Sequence, residues 1–198
     1  MPKINKEFLL LLQDDYTKYD VFIETGTYNG ETIFSMEPFF NKLYTIEISE
    51  KYYTKTMNTY LSKKTVENSS TYDNKIIFLF GDSSIVLKSV LSIITDKCIF
   101  FLDGHWSSDD TGRGEKDCPL IEEVTHINNL CKTEAIIIID DYRLFEKGPN
   151  IGFLEDWSDI NKEKIVNILQ ERISKVYHLD SECSKDDRLI IHINSIIE

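Results

Sequence analysis

Acidic side chains follow five short apolar runs along the chain. They are Glu24, Glu47, Asp82, Asp103 and the pair Asp140-Asp141. If the runs are parallel strands of one sheet, their carboxyl ends line a single crevice where ligands bind. One acid after a strand is commonly a helix cap, but five strand ends in succession indicate a site. Such carboxylates could accept hydroxyl groups, attract a cationic ligand or hold a divalent metal ion.

The first of these runs, Val21–Glu24, leads into a turn with two glycines, Gly26 and Gly30. The G-x-x-x-G spacing differs from the G-x-G-x-x-G of dinucleotide binders and from the G-x-x-x-x-G-K of phosphate loops. The turn carries no Lys or Arg, and Glu24 would repel phosphate. We therefore expect a ligand with an ammonium or sulfonium group, and a nicotinamide-dependent oxidoreductase is disfavoured.

The fourth run ends in Asp103-Gly104-His105-Trp106, and a long polar segment, Ser107–Asp117, follows it. A histidine can remove a proton near neutral pH, so His105 is a candidate general base. It could instead bind a metal or donate to the following loop. Polar loops of this length above a sheet are often functional lids, the alternative being disorder.

Composition limits the class of protein. The chain has 198 residues, is 41% hydrophobic and carries a formal charge of -12. This charge argues against nucleic acid as a partner, since phosphate binding needs basic surface. The four cysteines form no C-x-x-C pair, which favours reduced thiols in a cytoplasmic protein. We see no signal peptide and no apolar run of membrane-spanning length, so no membrane insertion is expected.

The order of elements predicts one α/β domain over residues 1–198. Its core would be a doubly wound, Rossmann-like, seven-stranded sheet, mostly parallel with a terminal antiparallel hairpin. Strands are expected at Val21–Glu24, Lys42–Ile48, Ile76–Phe80, Cys98–Leu102, Ala135–Ile139, Val176–Leu179 and Arg188–Ile193. Helices are expected at Asn5–Asp14 (over a sheet edge), Glu31–Phe40, Glu50–Leu61, Ile85–Ile94, from Pro119 to Leu130 and at Ile160–Ile173, with a polar loop at Ser62–Lys75.

Across nearly its full length the chain resembles class I S-adenosylmethionine-dependent methyltransferases. Within that class it is similar to the small sugar O-methyltransferases: macrocin-type enzymes and glycan-modifying domains of bacteria and large DNA viruses. The residues that carry the resemblance are Glu24–Thr32, Glu47, Gly81–Ser83, Leu102–Trp106, Thr111–Glu123 and Ile139–Arg143.

The resemblance implies a role for each part of the crevice. The methionine end of S-adenosylmethionine would contact Glu24, Thr25, Gly26, Thr27, Gly30 and Thr32, with Glu24 facing its cationic part. Glu47 would accept the ribose hydroxyls, beside Ile48. Asp82 would take the adenine amino group, with Gly81 and Ser83 beside it, although a helix-capping role for Asp82 stays open. Asp103 would complete the cofactor site.

The resemblance also implies a divalent ion, Mg²⁺ or Mn²⁺, on Asp103, Asp140 and Asp141. The ion would bind vicinal sugar hydroxyls and lower the pKa of the one that is methylated. The family often has D-x-D after the fourth strand, where this chain has His105 in the second acidic position. Catalysis by His105 and Asp103 without a metal therefore stays open. Acceptor contacts are expected from Trp106, Arg113, Tyr142 and Arg143.

Three functions follow as alternatives. The first is O-methylation of a sugar, such as the deoxyhexose rhamnose, in a glycan or glycoside. The second is methylation of a catechol or phenol, and the third is a non-catalytic cofactor-binding adaptor. Expected partners are the glycan acceptor and a fused or associated glycosyltransferase, and the chain would suit the terminal domain of a longer protein. If it is viral, the host cytoplasm is its expected location.

Overall fold

The structure, a computed structural model, describes residues 4–66, 75–108, 111–152 and 154–196. At its centre is a seven-stranded sheet in the order β3-β2-β1-β4-β5-β7-β6. The strands are β1 Val21–Thr25, β2 Lys42–Glu47, β3 Ile76–Phe80, β4 Cys98–Leu102, β5 Ala135–Ile139, β6 Ile173–Leu179 and β7 Arg188–Ile193. Strands β1 to β5 pair in parallel, whereas β7 pairs antiparallel with both β5 and β6. The predicted fold class and terminal hairpin are confirmed.

The central strands are buried on both faces, which explains their continuous apolar sequences. In β4 the side chain of Phe100 belongs to one hydrophobic cluster, while Ile99 and Phe101 belong to the cluster on the opposite face. All five residues of β1, β4 and β5 are buried. Two helical layers therefore enclose the sheet and hold the carboxyl ends of its strands at one edge.

In the described ranges, six α-helices surround the sheet. They are α1 Lys6–Leu9, α2 Glu31–Met36, α3 Glu50–Val66, α4 Ser83–Leu91, α5 Leu120–Leu130 and α6 Lys162–Leu169, with short 3-10 helices at Tyr16–Lys18, Glu37–Phe39 and Tyr142–Leu144. The predicted polar loop begins later than expected because α3 extends to Val66, and residues 67–74 lie outside the described residues. Helix α4 begins two residues early because the Asp82 side chain accepts from Ser84 N and caps it.

The first helix is shorter than predicted. After Leu10 the local backbone bonds tighten to turns, from Leu11 N to Phe8 O and from Leu12 N to Leu9 O. At Gln13 long-range contacts take over: Gln13 N donates to Tyr177 Oη at 2.9 Å, and Gln13 O accepts from Lys175 Nζ at 2.5 Å. Both partners lie on the edge strand β6, so the segment does reach a sheet edge. Its apolar residues Phe8 and Leu9 also pack on a face of the sheet.

Two further features of the described residues concern the cysteines and the helices. The four cysteines are free thiols. No described helix combines the length and the apolar character that crossing a membrane requires.

The turn after β1 lies directly against the loop after β4. Gly26 has φ +82°, and a Cβ built there would overlap the carbonyl oxygen of Asp103. Only glycine allows both this backbone conformation and this approach. The two loops therefore meet at the point where strand order reverses, which is the usual ligand crevice of such sheets.

We predict that Gly26→Ala destabilises the fold far more than Gly152→Ala. Gly152 also has positive φ, +90°, but a Cβ there would meet nothing within 4 Å. The control should lose about 1 kcal/mol from backbone strain, while Gly26→Ala should lose about 2 kcal/mol more from the overlap. Urea denaturation measures both, and equal losses would contradict the close packing of the two loops.

Candidate functional site

A cavity opens at the carboxyl ends of β1, β2, β3 and β4. Seven of the predicted cofactor residues line it: Gly26, Glu47, Ile48, Gly81, Asp82, Ser83 and Asp103. The predicted catalytic residue His105 and the predicted acceptor residue Trp106 line it too. The structure thus brings together polar residues from four loops that are far apart in the sequence, and a concave site with converging polar groups is typical of ligand binding.

Glu47 is fixed in orientation by the backbone. Its Oε2 accepts from Tyr28 N and its Oε1 accepts from Ser49 N, both at 2.8 Å. Burial raises the pKa of Glu47, and the backbone N–H donors oppose that rise. Each carboxylate oxygen keeps a further lone pair, so the side chain can accept two more hydroxyl groups from a ligand in the cavity.

Glu24, in contrast, lies behind the cavity wall. It is 1% exposed and accepts from Thr45 Oγ1 at 2.7 Å, and Thr45 also contacts Thr27 at 2.5 Å. Burial raises the pKa of Glu24 well above its usual value. Direct contact of Glu24 with the cationic part of a cofactor stays a prediction, because in this arrangement the carboxylate faces β2.

The other residues of the first turn that do not line the cavity also have structural roles. Thr25 and Thr32 are buried. Gly30 provides close packing, since a Cβ there would lie 2.5 Å from Thr56 Cγ2 on α3. Gly30 therefore brings α3, together with the start of α2, against the turn.

The segment after Trp106 covers the side of the cavity formed by Ile48 and Asp82. A Cβ on Gly112 would overlap Ile48, and a Cβ on Gly114 would overlap Asp82. We call residues 107–117 the lid; Asp109 and Asp110 lie outside its described residues. Its glycines allow the backbone to pack directly on the loops after β2 and β3, which supports the predicted covering role.

Arg113 and Asp117 fold the lid onto itself. Arg113 donates to both oxygens of Asp117, at 2.6 and 3.1 Å, and its guanidinium lies 4.2 Å from the centroid of the Trp106 ring. Asp117 also accepts from Asp156 N at 3.0 Å. Arg113 does not line this cavity but lines a separate outer groove together with Lys116 and Lys164, so its acceptor role stays a prediction.

His105 is surrounded by carboxylates. Its Nδ1 lies 3.4 Å from Asp103, and its Nε2 lies 3.3 Å from Asp141 and 3.9 Å from Glu155. Burial lowers the pKa of His105, but Asp103, Asp141 and Glu155 outweigh burial and raise it to about 9. With this pKa the imidazole is protonated at neutral pH, so it must lose that proton before it can serve as a general base.

The predicted metal ligands are not all brought together. Ligand atoms of Asp103, His105 and Asp141 lie within 4.8 Å of one another, whereas Asp140 groups with Asp141 and Asp187. Asp140 is instead paired with the buried Arg188 at 3.2 Å. Burial, followed by the charge of Asp103, raises the pKa of Asp140 to about 7. In this arrangement His105 takes the place in the metal-binding trio that the sequence assigned to Asp140.

Tyr142 and Arg143, the remaining predicted acceptor residues, are engaged within the protein. Arg143 Nη1 pairs with both Asp141 and Asp187. The Tyr142 ring packs on His178, with ring centroids 4.4 Å apart. Arg143 thus positions Asp141, and contact of either residue with an acceptor stays a prediction.

Three residues at this site had no assigned role in the sequence. Glu155 and Trp157 approach His105 from the loop before α6, and the Trp157 ring lies 4.9 Å from the imidazole. Glu123 is buried at the start of α5, next to the loop after β4. Glu123 is the last residue of the Thr111–Glu123 segment that carries the resemblance. The sequence alone could not show its neighbours, because Thr25, Ser83 and Gly104 come from distant parts of the chain.

Comparison with known proteins supports the fold. No protein-family model matches the chain, and no curated protein matches it. Similar solved structures include an rRNA methylase from Streptococcus thermophilus (TM-score 0.53, 13% identity, 91% of this chain and 89% of that chain). A candidate caffeoyl-CoA O-methyltransferase from Staphylococcus aureus is also similar (TM-score 0.58, 14% identity, 98% and 86%).

A candidate methyltransferase from Streptococcus mutans, solved in complex with SAH, is similar as well (TM-score 0.53, 13% identity, 90% and 90%). At these identities the likeness defines the fold and not the substrate. The chain therefore has the Rossmann-like α/β fold of the S-adenosylmethionine-dependent methyltransferases.

Proposed function

We propose that this protein is an S-adenosylmethionine-dependent O-methyltransferase that acts on a sugar hydroxyl in a glycan or glycoside. The observation that carries the proposal is that two residues belong both to the cavity and to a group of possible metal ligands. Asp103 and His105 line the cavity at the strand ends and also belong to the trio of possible metal ligands. A methyl donor in the cavity and an acceptor oxygen at the trio would be neighbours.

The cavity offers matching groups for the cofactor. Glu47, oriented by two backbone N–H groups, has free lone pairs for the ribose hydroxyls. Asp82 lines the cavity while it caps α4, so an adenine amino group could bind its remaining lone pairs. The lid excludes water from this end of the cavity, which in-line transfer requires.

The chemistry moves one methyl group and one proton. The acceptor oxygen attacks the methyl carbon, the carbon–sulfur bond breaks, and the sulfonium becomes a neutral thioether while the hydroxyl proton leaves the oxygen. A divalent ion would lower the pKa of the acceptor hydroxyl. Asp103, His105 and Asp141 would hold it, and an imidazole ligand favours Mn²⁺ over Mg²⁺, which prefers oxygen ligands.

His105 has a different role in each alternative. As a metal ligand it must be neutral, and the ion would replace its proton among the three carboxylates. Without a metal, the pKa of about 9 makes the histidine a poor proton acceptor at neutral pH. The geometry therefore favours metal activation, with His105 and the two aspartates orienting the ion and the acceptor.

Charge supports a sugar over RNA as the acceptor. The chain has a net charge of -12, and in the outer groove the basic Arg113, Lys116 and Lys164 are each paired with an acid. Such surfaces repel phosphate but can bind neutral polyols through carboxylates. A deoxyhexose is a proposal by resemblance, as is a fused or associated glycosyltransferase.

A catechol or phenol is the second candidate, since it also offers adjacent oxygens to a metal. The Staphylococcus aureus structure, a candidate caffeoyl-CoA O-methyltransferase, is the observation that favours it. A catechol needs an apolar slot, whereas the described lid residues are polar or glycine. A cofactor-binding adaptor would bind SAH but transfer no methyl group.

We predict that Glu47→Ala weakens SAH binding at least about tenfold, because charge-assisted hydrogen bonds to the ribose are lost. Isothermal titration calorimetry measures the dissociation constant. The matched control is Glu50→Ala, which removes an exposed acid three residues later at the start of α3 and should leave affinity unchanged. Wild-type affinity in Glu47→Ala would contradict the ribose assignment.

We predict that Asp141→Asn removes metal-dependent turnover while SAH affinity stays within about twofold of wild type. Methyl transfer to rhamnosides and to a catechol should be measured after chelation and again after addition of Mn²⁺. Asp96→Asn, at the opposite end of the sheet, is the control and should respond to Mn²⁺ like the wild type. Full turnover by chelated Asp141→Asn would refute metal activation, and transfer to the catechol alone would favour the second candidate.

A further inference from the structure

Glu123 is a buried acid with no role in the chemistry above. It lies in the first turn of α5 and is 1% exposed. Burial raises its pKa to about 7, and the hydroxyls of Ser83 and Thr25, which face the carboxylate, oppose that rise. One side chain thus links the end of β1 with the start of α4.

The same carboxylate reaches the loop after β4. A Cβ built on Gly104 would lie 3.1 Å from Glu123 Oε1 and 3.0 Å from Thr25 Oγ1. Asp103 N donates to Thr25 Oγ1 at 3.3 Å. Because the Thr25 hydroxyl also faces the Glu123 carboxylate, Thr25 lies between the Asp103 backbone and Glu123 and contacts both.

A small cavity, with room for about one water molecule, connects Glu123 with His105 and Asp140, all three of which line it. His105 Nδ1, Glu123 Oε1 and Asp140 Oδ2 are buried and have no hydrogen-bond partner among the described residues. An imidazole N–H donates while carboxylate oxygens accept, and water can serve both kinds of group. Three unpaired polar atoms at one cavity are a costly arrangement unless water bridges them.

We infer that Glu123 is a positioning residue for methyl transfer, which holds the loop carrying Asp103 and His105 through Thr25 and through water in the cavity it shares with His105. The inference rests on the proposed function, since it assigns a role in that reaction. Glu123 itself lies outside the cofactor cavity. Its effect is therefore on the geometry of the reacting groups, and small displacements of such groups slow transfer strongly.

The test compares Glu123→Leu and Glu123→Gln with the wild type in kcat, KM and SAH affinity. Leucine removes the acceptor, and kcat should fall about 30-fold or more while the dissociation constant of SAH changes less than about fivefold. Glutamine keeps an acceptor oxygen for Thr25 and Ser83, so it should restore kcat to within about fivefold of wild type. The control Glu134→Gln changes an exposed acid paired with Lys97 and should match the wild type.

Folding is measured in parallel by thermal unfolding. Burial penalises the charged form of Glu123, and leucine removes that penalty, so Glu123→Leu should remain folded. If it does not, Thr25→Val carries the test, because it breaks the same contacts and should lower kcat in the same way. In the double variant the two losses should not add.

Three outcomes would overturn the inference. One is wild-type kcat in folded Glu123→Leu or in Thr25→Val. Another is a proportional loss of kcat, SAH affinity and stability in both Glu123 variants, which a purely structural role would produce. A wild-type protein that neither binds SAH nor transfers methyl groups would refute the proposed function itself, and it would do so without any Glu123 variant.

Discussion

The arrangement of the site depends on the contact between two turns that have no side chain between them. Gly26 follows β1, and its Cα faces the Asp103 carbonyl after β4 so closely that any Cβ would overlap it. Because β1 and β4 are adjacent parallel strands, this contact sets the distance between the turn after β1 and the loop that carries Asp103 and His105. Gly104 extends the same packing towards Thr25 and Glu123.

Electrostatics explains why this crevice suits a cationic ligand. Three acids at this crevice are buried, and burial raises the pKa of each: Glu24, Glu123 and Asp103. Hydroxyl groups stabilise charged Glu24 and Glu123, and His105 stabilises charged Asp103. The arginines Arg143 and Arg188 pair with Asp141 and Asp140. A sulfonium or a divalent ion would supply positive charge that the described part of the chain leaves undersupplied.

Much of the fold could be predicted from the sequence because the strands are buried on both faces. The apolar run Ala135–Ile139 is a strand with the predicted bounds, and the short connection between β6 and β7 required the antiparallel pairing that is found. Helix ends were less predictable, since they depend on individual contacts. The bond from Gln13 N to Tyr177 is one example, because it joins residues 164 positions apart.

For the site, the sequence placed acids at the right strand ends but could not show which way each points. Glu47 and Asp82 line the cavity, whereas Glu24 turns towards Thr45 and Asp140 towards Arg188. Both departures reflect partners on neighbouring strands. Glu155 joined the cluster around His105 from a loop that carried no motif, so only the folded chain reveals its part in setting the His105 pKa.

A crystal structure of the protein with SAH and Mn²⁺ tests the central claim most directly. The account predicts the adenosine between Ile48 and Asp82 beneath the lid, with the ribose hydroxyls on Glu47. It also predicts Mn²⁺ on Asp103, His105 and Asp141 beside the SAH sulfur. SAH bound elsewhere, or Mn²⁺ bound away from this trio, would contradict it.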